Sequence, residues 1–435
     1  MKVAMARLVT LAAAAALAAV VALAAAPRAE AARAPCIPGA GKPLCYWTKG
    51  KVTFVADGDT LDVDVQGDGT SRPIRVRMIG INAMEMSVYS RYRDRRRGAC
   101  HALEATSRLQ RLVRGSRRVV RLSSQGRVSK AGRRYRRSVA VRVGGRWRDA
   151  GQILVNEGHV LWLAAGSEWA HNTRYAVGAQ RAKAAGLRIW NPRYCGSDSS
   201  DAVPLRMWVN WDADGRDPQN LNGEWVRIKN QGTSALAIGG WWLRDSFLKR
   251  FTFPAGAVIP AGGAIALFVG SRGGDTNTST HFYWGRTRPI FDNAGGPRGM
   301  GDGAYLFDRH GDIRASMMYP CRYACSDPLA SALEVSAHPS RPEEVYVRNA
   351  SSAAVDLEGY VVENPPYIYS FGAGTILAPG ERLRLVVIGR PADDTALVKH
   401  WGKSRYILDD AGDVVRLRTQ TNITIDCFSW GRGSC

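Results

Sequence analysis

Beyond residue 26 the chain has no apolar run long enough to cross a bilayer, so a membrane span could come only from its first residues. It has no Cys-x-x-Cys pair and only seven histidines, with none at ligand spacing from the cysteines, which weighs against a zinc cluster. It is also short of acids: 38 Asp and Glu stand against 60 Lys and Arg, a formal net charge of +22 over 435 residues. That imbalance makes polyanions the natural partners, whether nucleic acid, anionic envelope polymer or lipid head groups. A hydrophobic content of 45% supports packed cores and excludes global disorder.

The N-terminus carries Lys2 and Arg7, an Ala/Leu/Val run from Leu8 to Ala26, and a small-x-small site at Ala29-Glu30-Ala31. These features predict a secretory signal over 1–31, cleaved after Ala31. The length of the run leaves a retained anchor as the alternative. Eight cysteines, an even number, suit disulfides in an oxidising compartment, secreted or at the cell envelope. Cys36 and Cys45 bracket a Gly/Pro loop, Cys321 and Cys325 are near neighbours, and Cys427 and Cys435 close the chain. Cys100 and Cys195 remain.

Arginines crowd the segment from Arg91 to Arg148, in Arg95-Arg96-Arg97, Arg117-Arg118, Arg133-Arg134 and Arg136-Arg137, with few acids among them. The segment reads as a polyanion-binding surface or as a compositional bias on a solvated face. Around it, Val52-Phe54, Leu61-Val63-Val65 and Val76-Met78 alternate as strands, with Gly67-Asp68-Gly69 as a hairpin turn. Ala102, Ala105, Leu109, Leu112 and Val113 recur at helical spacing. Strands follow at Val119–Leu122 and Val139–Val143, then helices at 150–158 and 175–186. Five strands with one helix inserted and two at the end predict an α+β barrel with three helices.

Asp57-Gly58-Asp59-Thr60 ends the first β-like run, and Arg75 to Glu85 (RVRMIGINAME) follows. A hard cation takes oxygen ligands, a phosphate takes guanidinium forks, and an attacking water needs a carboxylate within reach. These residues resemble the thermonuclease family, whose core reads Asp-Gly-Asp-Thr, then a strand arginine, then a turn of the type Asp-Thr-Pro-Glu. The resemblance implies an OB-fold domain over 50–196 that binds calcium and cleaves DNA or RNA. It implies Asp59 as a metal carboxylate, with Asp57 and Thr60 in support, Arg77 as the first phosphate arginine and Glu85 as the base that activates water. Asn82 and Ala83 take the places of the family's second metal carboxylate and its neighbouring threonine. An Asn82 oxygen and the Ala83 carbonyl can still ligate, with one negative charge fewer and weaker calcium binding. For the second arginine, the inward phase of Val139, Val141 and Val143 and the distance to Gly144-Gly145 select Arg136, whereas Lys130-Ala131-Gly132-Arg133 selects Arg133 by local sequence. On the same resemblance Cys100 and Cys195 lie just outside helices packed on one barrel and would bridge them.

After the polar stretch Gly196–Asp201 an internal repeat begins. Glu224-Trp225-Val226-Arg227-Ile228-Lys229-Asn230 is echoed by Glu343 to Asn349, Gly240-Trp241-Trp242-Leu243-Arg244-Asp245 by Gly359 to Asn364, Phe253-Pro254-Ala255-Gly256 by Phe371 to Gly374, and Trp284-Gly285 by Trp401-Gly402. These blocks resemble the lamin-tail family and imply two all-β immunoglobulin-like sandwiches, at 202–326 and 331–435, after a disulfide-linked segment at 32–49 and the barrel. The expected function is an exported, metal-dependent nuclease with lamin-tail-like modules for attachment. The alternative is a weak or inactive nuclease-derived protein of the envelope that binds nucleic acid or anionic polymer.

Overall fold

The computed structural model describes residues 32–86, 98–197, 202–271 and 277–435. The expected signal at 1–31, the arginines Arg91 and Arg95 to Arg97, and residues 198–201 of the polar stretch lie outside the described residues.

Five strands close the barrel of the first unit: β1 (Leu44–Val55), β2 (Thr60–Val65), β3 (Ile74–Met78), β4 (Val119–Ser124) and β5 (Arg134–Val143). They pair in the order β1-β2-β3-β5-β4, and β4 pairs back onto β1, closing the barrel. Only the β3–β5 pair is parallel. This order, with a helix after the third strand, is compatible with an OB-fold. The alternating residues Val52, Leu61, Val63, Val76, Met78, Val120, Leu122, Val139 and Val141 fill the interior. Three helices pack on it: α1 (Ala102–Gly115), α2 (Ala150–Asn156) and α3 (Asn172–Ala184). The buried stripe of α1 comprises Ala102, Ala105, Thr106, Leu109, Leu112 and Val113, the residues at helical spacing with Thr106 added.

The sheet starts earlier than Gly50. Ala32–Pro35 pairs with Leu44–Trp47, so the Cys36–Cys45 hairpin is continuous with β1 rather than a separate segment. Gly50 is not a boundary but a close-approach glycine: a Cβ there would meet Val63 Cγ1 at 2.4 Å and Asp64 O at 2.7 Å.

All four disulfides join the expected partners: Cys36–Cys45, Cys100–Cys195, Cys321–Cys325 and Cys427–Cys435. Cys100–Cys195 spans 95 residues and ties the start of α1 to the end of the barrel unit. Because a cross-link over so long a loop restricts the unfolded chain strongly, replacing both cysteines by serine should cost about 2–5 kcal/mol. Denaturant unfolding of the double variant reads this, and an unchanged midpoint would contradict it.

Two β units follow, each with two four-stranded sheets. In the first, one sheet runs Leu205–Asn210, Trp225–Asn230, Ala264–Phe268, His281–Tyr283, and the other Arg250–Thr252, Trp242–Asp245, Asp302–Phe307, Ile313–Tyr319. The second unit repeats this order with Leu333–His338, Glu344–Asn349, Arg382–Ile388, Val398–Lys403 and Tyr367–Ser370, Tyr360–Asn364, Val414–Thr419, Thr424–Ser429. The last pair of the first sheet is parallel in both, so the sequence repeat is a repeat of topology. Each unit has its own core between its sheets.

The first β unit also shares the barrel's core. Tyr305, Phe307, Ile313 and Met318, on the outer face of its second sheet, are buried with the barrel's apolar residues. Polar links surround them: Lys183 Nζ donates to Ser316 O (2.6 Å), Gln180 Nε2 to Pro320 O (2.9 Å) and Asn172 Nδ2 to Arg298 O (3.0 Å). The two β units meet through Trp211 Nε1, which donates to Gln420 O (2.6 Å), and through buried Glu358, paired with Lys229 (2.9 Å) and Arg227 (3.0 Å). Among the described residues no helix is long and apolar enough to cross a membrane.

Candidate functional site

The turn between β1 and β2 is built by its own side chains. Asp57 Oδ1 accepts the Asp59 N–H (2.9 Å), and the Ala56 N–H donates to Thr60 O (2.9 Å), closing the chain into a tight reversal. Gly58 is required by close approach: a Cβ there would come within 2.6 Å of Ala105 Cβ on α1 and 2.8 Å of Ala83 Cβ. The Asp-Gly-Asp spacing thus lets the turn press against the helix while both carboxylates stay at its end.

Asp59, 3% exposed, is the hub. Its Oδ1 accepts from Thr60 Oγ1 (2.9 Å), and its Oδ2 accepts from the Ala83 N–H (2.7 Å) and forms an ion pair with Arg77. The Met78 N–H holds the Asp59 carbonyl (2.8 Å), pinning the turn to β3. Burial, and then the charge of Asp59, push the Asp57 carboxyl up to about 7, so near neutral pH a proton or a cation relieves the repulsion there.

Arg77 lies opposite Thr60 across β2–β3 and opposite Arg136 across β3–β5. Paired residues on adjacent strands share a face, so the two arginines stand side by side on the outer face of the barrel, away from Val76, Met78 and Val139. Arg136 Nη1 donates to Ser167 Oγ (3.2 Å). Arg133 stands in the exposed turn before β5, after Gly132. Glu85 is exposed, while its carbonyl accepts the Ala99 N–H (2.9 Å), fixing the backbone just before α1.

Asp57, Asp59, Thr60, Arg77 and Ala83 therefore converge, and Arg136 joins them by register. From Ala83 it is the N–H that faces Asp59. Asn82, 1% exposed, behaves differently: its Nδ2 donates to the carbonyl of Ser246 in the first β unit (2.9 Å). Its Oδ1 is buried and has no partner among the described residues. Ser246 and Ser167 are contacts that the sequence reading missed, and no local motif marks either of them.

Asp57 and Asp59 offer carboxylate oxygens, and Asn82 a buried amide oxygen without a partner among the described residues; these are donor types that suit a hard cation. The paired guanidiniums fit a phosphodiester. Elsewhere on the barrel unit Arg111, Arg114, Arg117, Arg118, Arg127, Arg133, Arg134, Arg142, Arg146 and Arg148 are all exposed and make its surface basic.

No curated protein matches this chain. The Lamin Tail Domain family matches residues 209–320, which run through both sheets of the first β unit, so that unit is a lamin-tail domain.

Proposed function

We propose that the protein is an exported, calcium-dependent nuclease that hydrolyses phosphodiester bonds of DNA or RNA on its barrel. The observation that carries this reading is the strand register, in which Thr60, Arg77 and Arg136 lie level across three neighbouring strands beside the Asp59 carboxylate. Charge that develops on a phosphate during hydrolysis is stabilised by preplaced donors in a partly dry site, and two guanidinium forks supply them. Glu85 takes the proton from the attacking water. Asp59 and Asn82 Oδ1 would hold the cation, with Asp57 in support and the Ala83 N–H turned to Asp59, and when bound it would neutralise phosphate charge. The exposed arginines attract the polymer and keep it on the surface. The lamin-tail domain and the repeat after it hold the enzyme to a surface or partner.

The second reading, a nuclease-derived binding protein of the envelope, is favoured by one observation: the Asn82 amide is engaged by Ser246 instead of presenting a carboxylate. Incubating the purified protein with plasmid DNA and with RNA, in calcium or in chelator, separates the two. Calcium-dependent fragmentation is expected. Retarded but intact nucleic acid under both conditions would favour the binding protein.

A further inference from the structure

We propose that the Arg244–Ser246 corner of the lamin-tail domain is a fixed wall of the barrel's site that orients Asn82, making the domain a positioning element for the cation as well as an attachment module. This inference rests on the nuclease reading for the identity of the site, but not on turnover.

The Ser246 carbonyl is the centre of the contact. It accepts from Asn82 Nδ2 (2.9 Å) and from Arg244 Nη2 (3.2 Å), using both of its lone pairs. Arg244 is 4% exposed and its Nε donates to the next carbonyl, Asp245 O (2.9 Å), so its fork grips the peptide corner from the domain side. Beneath, fully buried Asp302 accepts the Ser246 N–H (3.1 Å) and the Gly303 N–H (2.7 Å) through Oδ1. The Ser246 hydroxyl lies 3.3 Å from Tyr305 Oη, on a side chain that is part of the barrel's core. The Ser246 peptide is thus held at both its N–H and its carbonyl.

Facing a carbonyl, an amide side chain can present only its N–H. The Asn82 oxygen is therefore forced to the other side, where it is buried and unpartnered. An aspartate at this position would set a carboxylate oxygen against the Ser246 carbonyl. In this chain asparagine is the residue that can both dock the domain and offer a neutral oxygen. The contact is constitutive, because it lies beside a shared core containing Tyr305, Phe307, Ile313 and Met318. Arg244 also reaches the site electrostatically: burial draws its guanidinium down, and the charges of Asp245 and the barrel's own Glu85 oppose that.

Groups that orient a metal ligand change metal affinity about 10–100-fold when removed. Calorimetric titration of the whole chain with calcium should therefore show Arg244→Ala binding about 10–100-fold more weakly than wild type, with affinity for a DNA strand unchanged. Arg244→Lys, which keeps one donor for the corner, should recover part of the loss. Asn82→Asp should fail to tighten calcium binding despite its added charge, and it serves as the decisive variant where Arg244→Ala does not fold. Wild-type calcium affinity in Arg244→Ala, tighter binding by Asn82→Asp, or no calcium binding by the wild type would each overturn the proposal. Arg244-dependent calcium binding without cleavage would remove the nuclease reading and leave this one standing.

Discussion

Glu85→Gln is expected to keep nucleic-acid binding and to lower cleavage by about 10²–10⁴-fold, the range for a positioned general base. The amide keeps the shape of the carboxylate but cannot accept a proton. On the proposed function the exposed Glu85 side chain would meet the attacking water, and its backbone is held by the Ala99 N–H just before α1. Binding should survive because the exposed arginines carry most of the attraction for the polymer. Measuring cleavage and filter binding on the same preparation checks both halves. A variant that cleaves at the wild-type rate would remove Glu85 from the chemistry.

The second large effect concerns the paired arginines. Arg136→Ala should lower cleavage by about 10²–10³-fold, as the loss of one preplaced donor does in comparable sites. Arg133→Ala should instead weaken binding and reduce its salt slope by about one. The two differ by place. Arg136 is the register partner of Arg77, whereas Arg133 sits in an exposed turn before β5. A full loss of activity in Arg133→Ala with a mild effect in Arg136→Ala would reverse the assignment.

The outward phase of Arg136 shows what the sequence could carry. Val139 and Val141 face the barrel interior, and a one-residue slip would turn both outward, so alternation alone places Arg136 on the outer face. Three of the cysteine pairs were legible because they are close in sequence, and the two β units because their short blocks recur in one order, whereas Cys100–Cys195 spans 95 residues and rested on the resemblance. The start of β1 was not legible, since Gly50 reads as a boundary when its role is to admit Val63 and Asp64.

Docking of the first β unit was hidden for a different reason: Asn82 and Ser246 are 164 residues apart, and a contact between domains leaves no local period. One signal did exist. Ala304-Tyr305-Leu306-Phe307 is a continuous apolar run rather than an alternating one, as expected of a strand covered on both faces, and every position of that strand is buried. That pattern places a second layer over the sheet without naming it. Asn82, where the thermonuclease resemblance expects a carboxylate, likewise reads from sequence as a missing charge, and only the Ser246 carbonyl gives its amide N–H a purpose.

The most direct measurement is single-turnover cleavage of an end-labelled DNA or RNA strand by the purified wild-type chain, with calcium and with chelator. Calcium-dependent scission is expected, abolished by chelator and nearly eliminated in Glu85→Gln. A strand that binds tightly yet stays intact in calcium would contradict it, leaving a basic barrel that holds nucleic acid without cutting it.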